Sequence, residues 1–245
     1  MLAIITGSGF YEVPGLLDAR LEPIDTPYGA VEVTVGTWQG ATVAFLPRHG
    51  SGHTVPPHRI NYRANLWALK QLGCTAVLAT AVSGGIARDL HPGDLVLIDQ
   101  FIDVTRGRPD TFFDGDDLPV RHTDMTEPYH TGLRQLLAAA AEDLDLAVRP
   151  GGTYVCTNGP RFETPAEIAV YGRLGAHLVG MTGYPEVALA AELQLPYAAV
   201  GVISNAAAGL APAITLEDII ATLETVRPTL WALIAGVTRR WSTPS

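Results

Sequence analysis

Tyr197-Ala-Ala-Val-Gly-Val-Ile-Ser204 is an almost continuous apolar run, and Asn205 follows it directly. A strand that is apolar at successive positions has to be buried on both faces, which is typical of a central strand in a parallel sheet. The segments 2–6 and 75–81 have the same character. We therefore expect an α/β fold with a mixed, mostly parallel central sheet and helices on both faces.

Segments with helical periodicity alternate with further strand-like segments along the chain. The predicted helices span residues 60–72, 131–144, 165–174, 185–193 and 216–241. The further predicted strands are 31–35 and 41–45, which pair as a hairpin, and then 93–101, 151–156 and 178–181. A long polar loop is expected over 105–126. Because no linker or internal repeat divides the chain, we expect one domain that spans 1–245.

The composition excludes several classes of protein. The net charge is −9 and the chain has no run of Lys or Arg, so a nucleic-acid-binding surface is not expected. No apolar run reaches the roughly 20 residues that span a bilayer, and no basic leader precedes the first strand. We therefore expect a cytoplasmic protein without a membrane segment. Cys74 and Cys156 lack the spacing of a metal or redox pair, and we expect two buried thiols.

Polar side chains stand where the predicted strands end. In parallel sheets a ligand binds beyond the carboxyl ends of the strands, so one edge should collect these groups. The residues at these strand ends are Ser8, Arg48, His49, Thr80, Ala81, the 157–163 loop, Met181, Thr182, Ser204 and Asn205. Hydroxyls, a guanidinium and an imidazole together can hold an oxyanion. Each of these groups also has an ordinary structural explanation. Arg48 could form a surface ion pair, His49 could be an ordinary loop residue, and the hydroxyl groups could cap helices.

The stretch 157–168 reads Thr-Asn-Gly-Pro-Arg-Phe-Glu-Thr-Pro-Ala-Glu-Ile. The Gly-Pro pair indicates a loop. The ring of Phe162 can cover a flat ligand, and Glu163 can accept from its donor edge, which favours a heterocycle site. The alternative is a surface turn in which Thr164 caps a helix that begins at Pro165.

Other chemistries have weaker support. His49, His53 and His58 match no zinc signature, so no metal is expected. The nucleophile elbow of a serine hydrolase is absent, because Gly7-Ser8-Gly9 is one residue too tight. A carboxylate pair for glycosidic hydrolysis would require Glu163 and Glu186 at a suitable separation, which a sequence does not give.

Several strings occur in an order that resembles a known family. They are Gly7-Ser-Gly9, Arg48-His-Gly50, His58-Arg-Ile-Asn-Tyr-Arg-Ala-Asn65, Gly93-Asp-Leu-Val-Leu-Ile-Asp-Gln-Phe-Ile-Asp103, Gly159-Pro-Arg-Phe-Glu-Thr164, Gly180-Met-Thr182 and Pro185-Glu186. Together they resemble the trimeric purine nucleoside phosphorylase and methylthioadenosine phosphorylase family, over nearly the whole chain. The resemblance implies a single α/β domain, a homotrimer and reversible phosphorolysis of a purine nucleoside. Phosphate is then a co-substrate, and neither metal nor organic cofactor is implied.

The resemblance also assigns roles to individual residues. Phosphate would bind Ser8, Arg48, His49, Thr80, Ala81 and Thr182. The nucleoside would contact Phe162, Glu163, Met181, Asn205, Ala207 and Leu216. Asn205 would stabilise the departing purine, which makes it the predicted catalytic residue.

The base-reading positions depart from the methylthioadenosine branch. Phosphorylases of that branch carry aspartate at the places of Asn205 and Ala207, and they lack a carboxylate at the place of Glu163. An asparagine amide can donate to a 6-oxo group and accept from a protonated N7, while a carboxylate accepts from N1–H. The pair Glu163 and Asn205 therefore favours a 6-oxopurine over adenine.

The sugar's 5′ end is the second discriminator. Nucleoside phosphorylases that resemble this chain place a histidine in the C-terminal helix region, and here no histidine follows His177. Leu216, Ile219 and Ile220 offer apolar surface instead, which suits a methylthio group, although they also fit the core face of an amphipathic helix. The expected substrate is 5′-methylthioinosine, with inosine and guanosine as further 6-oxopurine substrates whose relative rates stay open. The alternatives are a methylthioadenosine phosphorylase, a nucleoside hydrolase and a nucleoside-binding protein without catalysis.

Overall fold

A computed structural model describes residues 1–50, 52–116, 118–211 and 215–242 of the chain. The strands are β1 Leu2–Thr6, β2 Leu17–Thr26, β3 Gly29–Trp38, β4 Ala41–Pro47, β5 Ala76–Gly85, β6 Leu95–Leu97, β7 Gln100–Asp103, β8 Val148–Arg149, β9 Thr153–Cys156, β10 Leu178–Gly180 and β11 Tyr197–Ala206. The helices are α1 Tyr62–Gln71, α2 Thr131–Asp143, α3 Pro165–Arg173, α4 Gly183–Glu192 and α5 Leu216–Ser242. A 3₁₀ turn, Pro57–Arg59, precedes α1.

The strands of the described chain join in one eleven-stranded sheet. Its main path runs β2-β3-β4-β1-β5-β10-β9-β7, and β11 branches from β5 and continues through β6 to β8. β5 is parallel to β1 and β11, while β10 meets it antiparallel. The predicted mixed, mostly parallel sheet is therefore confirmed.

Alternating side chains of β5 divide the core into two layers. Val77 and Ala79 pack on the side of α1 and α4, and Ala76 and Leu78 pack on the side of α2 and α5. This alternation follows from the two-residue period of a strand. The helices thus cover both faces, as the apolar runs predicted. Cys74 and Cys156 are buried free thiols, also as predicted.

β5 extends beyond its predicted end. The sequence indicated a strand that finishes at Ala81 and a glycine-rich turn after it, but the strand continues to Gly85 and pairs with both β10 and β11. Gly84 permits this, because a Cβ there would lie 3.3 Å from the Cα of Ala207. The glycines therefore allow close approach of the backbones rather than a turn.

Two other strand predictions need correction. The predicted strand 93–101 is divided into β6, which pairs with β11, and β7, which pairs with β9. The break lets the chain pass from one branch of the sheet to the other. β2 was missed because it is an edge strand exposed along most of its length, so it has no apolar alternation.

The predicted polar loop 105–126 is confirmed as a connection without helix or strand among its described residues. Its first half is attached to α4. Thr111 and the Phe112 amide both donate to Glu192 at 2.7 Å, and Tyr184 donates to Asp110 at 2.8 Å. Within the described chain, no helix combines the length and apolar character needed to cross a membrane.

Candidate active site

The loop after β1 is closed by local hydrogen bonds. Thr6 donates its hydroxyl proton to the Phe10 carbonyl, and the Phe10 amide donates to the Gly7 carbonyl at 3.2 Å. Gly7 has no room for a side chain, since a Cβ would lie 3.0 Å from Nη1 of Arg48. The loop thereby brings Ser8 to the wall of a cavity that Arg48 also lines.

Arg48 follows β4 and is only 4% exposed. Its Nε and Nη2 donate to the two carboxylate oxygens of Glu186 at 2.9 and 2.8 Å, and Nη1 donates to the Thr80 carbonyl at 2.7 Å. Tyr197 also donates to Glu186, at 2.7 Å. Burial lowers the pKa of Arg48, but the Glu186 carboxylate outweighs that effect and raises it above its usual range. Since a guanidinium has five N–H donors, two remain for an anion.

His49 lines the cavity, and its two ring nitrogens have different roles. Its Nδ1 lies 2.8 Å from the Val55 carbonyl, which only accepts, so Nδ1 carries the proton. Burial lowers the pKa of His49 to about 4; the charge of Arg48 adds to this effect and the bond to Val55 opposes it. The ring is therefore neutral at pH 7, and its Nε2 can accept a hydrogen bond from a protonated oxyanion.

We predict that acid destabilises the fold through His49. The imidazole has a pKa near 6.5 in the unfolded chain but only about 4 in the folded protein, so the unfolded state binds more protons between these values. The free energy of unfolding should fall as the pH drops from 6.5 towards 4. Urea denaturation should show that His49→Asn loses less stability than the wild type over this pH range. Parallel losses in the two proteins would contradict the assignment.

The predicted hydroxyl cluster is only partly assembled. Thr182 lines the cavity, and its side chain makes no capping bond to α4 in the described chain. Thr80 and Ala81 are buried, and Val82, Ser83 and Gly84 stand at the wall because β5 continues past its predicted end. Thr80 and Ala81 are not among the residues that line the cavity, and their contacts with phosphate stay a prediction. Thr80 accepts from Arg48 through its carbonyl, at 2.7 Å, and from the Gly7 amide through its hydroxyl, at 3.4 Å.

The stretch 157–168 contains the predicted helix cap and two residues of the cavity wall. Thr164 and Glu167 form a reciprocal capping box, with Pro165 at the first position of α3. Immediately before this cap, Phe162 and Glu163 line the cavity. The helix start thus holds the loop while its ring and carboxylate face the ligand space. Glu163 accepts from the Thr157 hydroxyl through Oε1, at 2.7 Å.

Asn205 has a defined amide orientation. The register of β11 against β5 shifts between Ile203 and Asn205, which changes the direction of the following side chains. Asn205 donates from Nδ2 to the Ala206 carbonyl at 2.8 Å and accepts from the Ser204 hydroxyl at Oδ1, at 2.6 Å. A carbonyl only accepts, so Nδ2 must be the atom that faces Ala206. One Nδ2 proton and one Oδ1 lone pair remain for a ligand.

These groups surround one cavity of about 410 Å³. Of the predicted site residues, its wall contains Ser8, Arg48, His49, Phe162, Glu163, Met181, Thr182, Asn205, Ala207 and Leu216. Phe162 and Leu216 are 52% and 69% exposed, and Ile219 is buried beside Leu216 in the wall. The cavity therefore combines a guanidinium, a polar edge with a carboxylate and an amide, and an apolar mouth.

Gly159 controls the position of Met181. Gly159 has φ +61°, and a Cβ would lie 2.5 Å from the Met181 sulfur. We expect Gly159→Ala to push Met181 into the cavity and raise the KM of the nucleoside by about tenfold, whereas the backbone strain of roughly 1–2 kcal/mol should lower only the stability of the fold. Steady-state kinetics would measure this change.

Gly40→Ala is the matched control for this prediction. Gly40 has φ +77°, and a Cβ there meets nothing within 4 Å. It should lose similar stability without a change in KM. Equal KM values in the two variants would contradict the proposed role of Gly159.

The geometry also bears on two alternative chemistries. Glu186 is fully buried and bound to Arg48 and Tyr197. It is therefore not available to act with Glu163 as the carboxylate pair of glycosidic hydrolysis. The rings of His49 and His53 have centroids 4.3 Å apart and are tilted by 34° to each other. In the part of the chain that the structure describes, no group of three or more His, Cys, Asp or Glu residues is placed to hold a metal ion.

Several residues in or near the cavity wall were not assigned individually to the predicted site. Glu186 was detectable as a carboxylate in the first turn of a mostly apolar helix, because a buried charge requires a partner. His53 lines the cavity and bonds to the Tyr11 hydroxyl at 2.9 Å. Thr157 and Arg108 lie behind the wall, and neither has a local pattern that would reveal its contacts.

Comparisons with known proteins identify the family of the chain. The profile described as "Phosphorylase superfamily" matches residues 1–239. The "6-oxopurine nucleoside phosphorylase" of Pyrococcus furiosus is 50% identical over 214 residues, which cover 85% of this chain and 80% of the relative. The "Probable S-methyl-5'-thioinosine phosphorylase" of Methanothermobacter thermautotrophicus is 44% identical over 243 residues, 98% of this chain and 84% of the relative.

A solved structure supports the fold independently. Methylthioadenosine phosphorylase from Schistosoma mansoni, in complex with adenine, superposes with a TM-score of 0.95 at 31% identity, covering 100% of this chain and 92% of its own. The match of a family profile to nearly the whole sequence, together with relatives of this similarity, shows the family. The chain belongs to the phosphorylase superfamily.

Proposed function

We propose that this protein is a pentosyltransferase that cleaves 6-oxopurine nucleosides with inorganic phosphate, and that S-methyl-5′-thioinosine is its preferred substrate. The observation that carries the proposal is the presence of Glu163 and Asn205 in the same cavity as Arg48. Glu163 offers a carboxylate oxygen to N1–H, and Asn205 offers one donor and one acceptor to O6 and N7. The relatives named for 6-oxopurine and methylthioinosine phosphorolysis support this function.

The protein would act by positioning phosphate for attack and would form no covalent intermediate with the substrate. The free N–H groups of Arg48, the neutral Nε2 of His49 and the hydroxyls of Ser8 and Thr182 would bind it. It would attack C1′ of the sugar while the glycosidic bond to the base breaks. Asn205 would stabilise the purine as N7 gains a proton, an interaction that strengthens in the transition state.

The apolar mouth supports the methylthio preference. Leu216 and Ile219 line the cavity and offer no hydrogen bond to a 5′-hydroxyl, whereas a methylthio group requires none. Met181 would lie along the ribose and Phe162 against the base. Ala207 leaves room beside Asn205 where the methylthioadenosine branch has a second aspartate.

The decisive experiment compares four nucleosides with and without phosphate. They are inosine, guanosine, S-methyl-5′-thioinosine and S-methyl-5′-thioadenosine. We expect phosphate-dependent cleavage of the three 6-oxopurine substrates, with the highest kcat/KM for S-methyl-5′-thioinosine. Cleavage without phosphate would indicate a hydrolase, binding without cleavage a nucleoside-binding protein, and preference for the adenine nucleoside a methylthioadenosine phosphorylase.

The proposal includes a homotrimer that acts in the cytoplasm without metal or organic cofactor. Three apolar side chains beside the cavity are exposed: Phe162 by 52%, Leu216 by 69% and Ile220 by 47%. Together they form a large apolar surface. A neighbouring subunit would cover it. Sedimentation equilibrium should give three times the 26.0 kDa chain mass, and full activity should survive treatment with a chelator.

A further inference from the structure

Thr157 lies at the end of β9, outside the cavity wall, and is only 7% exposed. Its hydroxyl lies 2.7 Å from Oε1 of Glu163 and 3.4 Å from the Gly180 carbonyl. A hydroxyl has one proton, and the shorter bond to the charged acceptor is the stronger of the two. Thr157 therefore donates to Glu163.

The backbone of Thr157 is held at both of its polar groups. Its amide donates to the Gly180 carbonyl at 2.8 Å, and its carbonyl accepts from Nη2 of Arg108 at 3.2 Å. Arg108 also donates to the carbonyls of Asn158 at 3.0 Å and Met181 at 2.8 Å. The backbone of Thr157 is thus fixed by β10 and by the buried guanidinium of Arg108, while its side chain contacts Glu163.

This arrangement orients the carboxylate. With Oε1 engaged by Thr157, the second oxygen, Oε2, accepts no bond from the described residues and is available in the cavity that Glu163 lines. Without the Thr157 hydroxyl, the carboxylate could rotate freely about its side-chain torsions. A freely rotating carboxylate would distinguish N1–H from an unprotonated N1 less well, because it would have to be ordered when the base binds.

We propose that Thr157 is a positioning residue that sets base specificity: it orients Glu163 so that one carboxylate oxygen faces the N1–H of a 6-oxopurine. This inference rests on the proposed function, and it adds a residue that touches neither base nor sugar. It extends base recognition to a chain of contacts from Arg108 through Thr157 to Glu163.

The test uses Thr157→Val, which keeps the shape and removes the hydroxyl, and Thr157→Ser, which keeps the hydroxyl. Inosine is compared with purine riboside, which lacks both N1–H and the 6-oxo group. Thr157→Val should lower kcat/KM for inosine by about tenfold or more, the loss typical of one hydrogen bond to a charged group. It should leave kcat/KM for purine riboside and the KM of phosphate within about twofold. Thr157→Ser should stay within about threefold of the wild type on inosine.

A double-mutant cycle with Glu163→Ala separates positioning from general damage. If Thr157 acts through Glu163, Thr157→Val should have almost no further effect once that carboxylate is absent. Equal losses on inosine and purine riboside, or additive losses in the cycle, would overturn the proposal. If Thr157→Val does not fold, Thr157→Ala takes its place in every comparison.

The two proposals fail in distinguishable ways. If the wild type cleaves none of the 6-oxopurine nucleosides, the proposed function is wrong. In that case, titration calorimetry with hypoxanthine and unsubstituted purine still decides the role of Thr157. A selective weakening of hypoxanthine binding in Thr157→Val would support it, and equal weakening of both bases would reject it.

Discussion

Asn205→Ala should lower kcat by about 100- to 1000-fold, the range seen when one donor to a developing negative charge is removed. The amide is the group that can donate a hydrogen bond to O6 and accept one from the protonated N7, and its orientation is set by Ser204 and Ala206. Because these contacts strengthen as the purine departs, the loss should fall on kcat rather than on the KM of phosphate. Single-turnover and steady-state rates with S-methyl-5′-thioinosine would measure it.

Asn158→Ala is the matched control for Asn205→Ala. Asn158 is the same residue type in the loop that carries Phe162 and Glu163, but it is not among the residues that line the cavity. Its side chain accepts only a long bond of 3.4 Å from the Arg106 amide among the described contacts. Its kcat should stay within about threefold of the wild type. If Asn205→Ala also stays within that range, Asn205 is not the catalytic residue.

Glu186→Gln should lower the free energy of unfolding by about 3–5 kcal/mol, because it leaves the buried guanidinium of Arg48 without a countercharge. Both side chains of this pair are almost inaccessible, at 1% and 0% exposure. The glutamine keeps the volume, so the loss would be electrostatic rather than a cavity effect. Urea denaturation at pH 7 would measure the change, and the KM of phosphate should rise as Arg48 loses its fixed orientation.

Glu22→Gln provides the control for this second prediction. Glu22 pairs with Arg20 at the surface, where the side chains are 34% and 67% exposed. Exposed pairs typically contribute less than about 1 kcal/mol, so this variant should unfold almost like the wild type. If both variants lose a similar free energy of unfolding, breaking the buried Arg48–Glu186 pair costs no more than breaking an exposed pair.

Much of the fold was predictable from local patterns. Double-sided apolar runs predicted the central strands and the helices on both faces, since a strand can be apolar throughout only if both faces are covered. Turn chemistry predicted the start of α3, where Thr164, Pro165 and Glu167 form the cap. The patterns failed at the exposed edge strand β2, which has no buried face to produce an alternation. They also failed at Gly84, where glycine serves close packing inside β5 rather than a turn.

The sequence by itself determined the residue types of the site, because strand ends in an α/β sheet collect at one edge. It predicted that Arg48 can bind an anion and that Glu163 and Asn205 can form hydrogen bonds with a 6-oxopurine. The tertiary structure decided how each of them is held. Arg48 binds Glu186, which is 138 residues away along the chain, and the Asn205 amide is oriented by its neighbours after a register shift in β11. Such contacts depend on distances between elements that are far apart in sequence, and local periodicity carries no record of those distances.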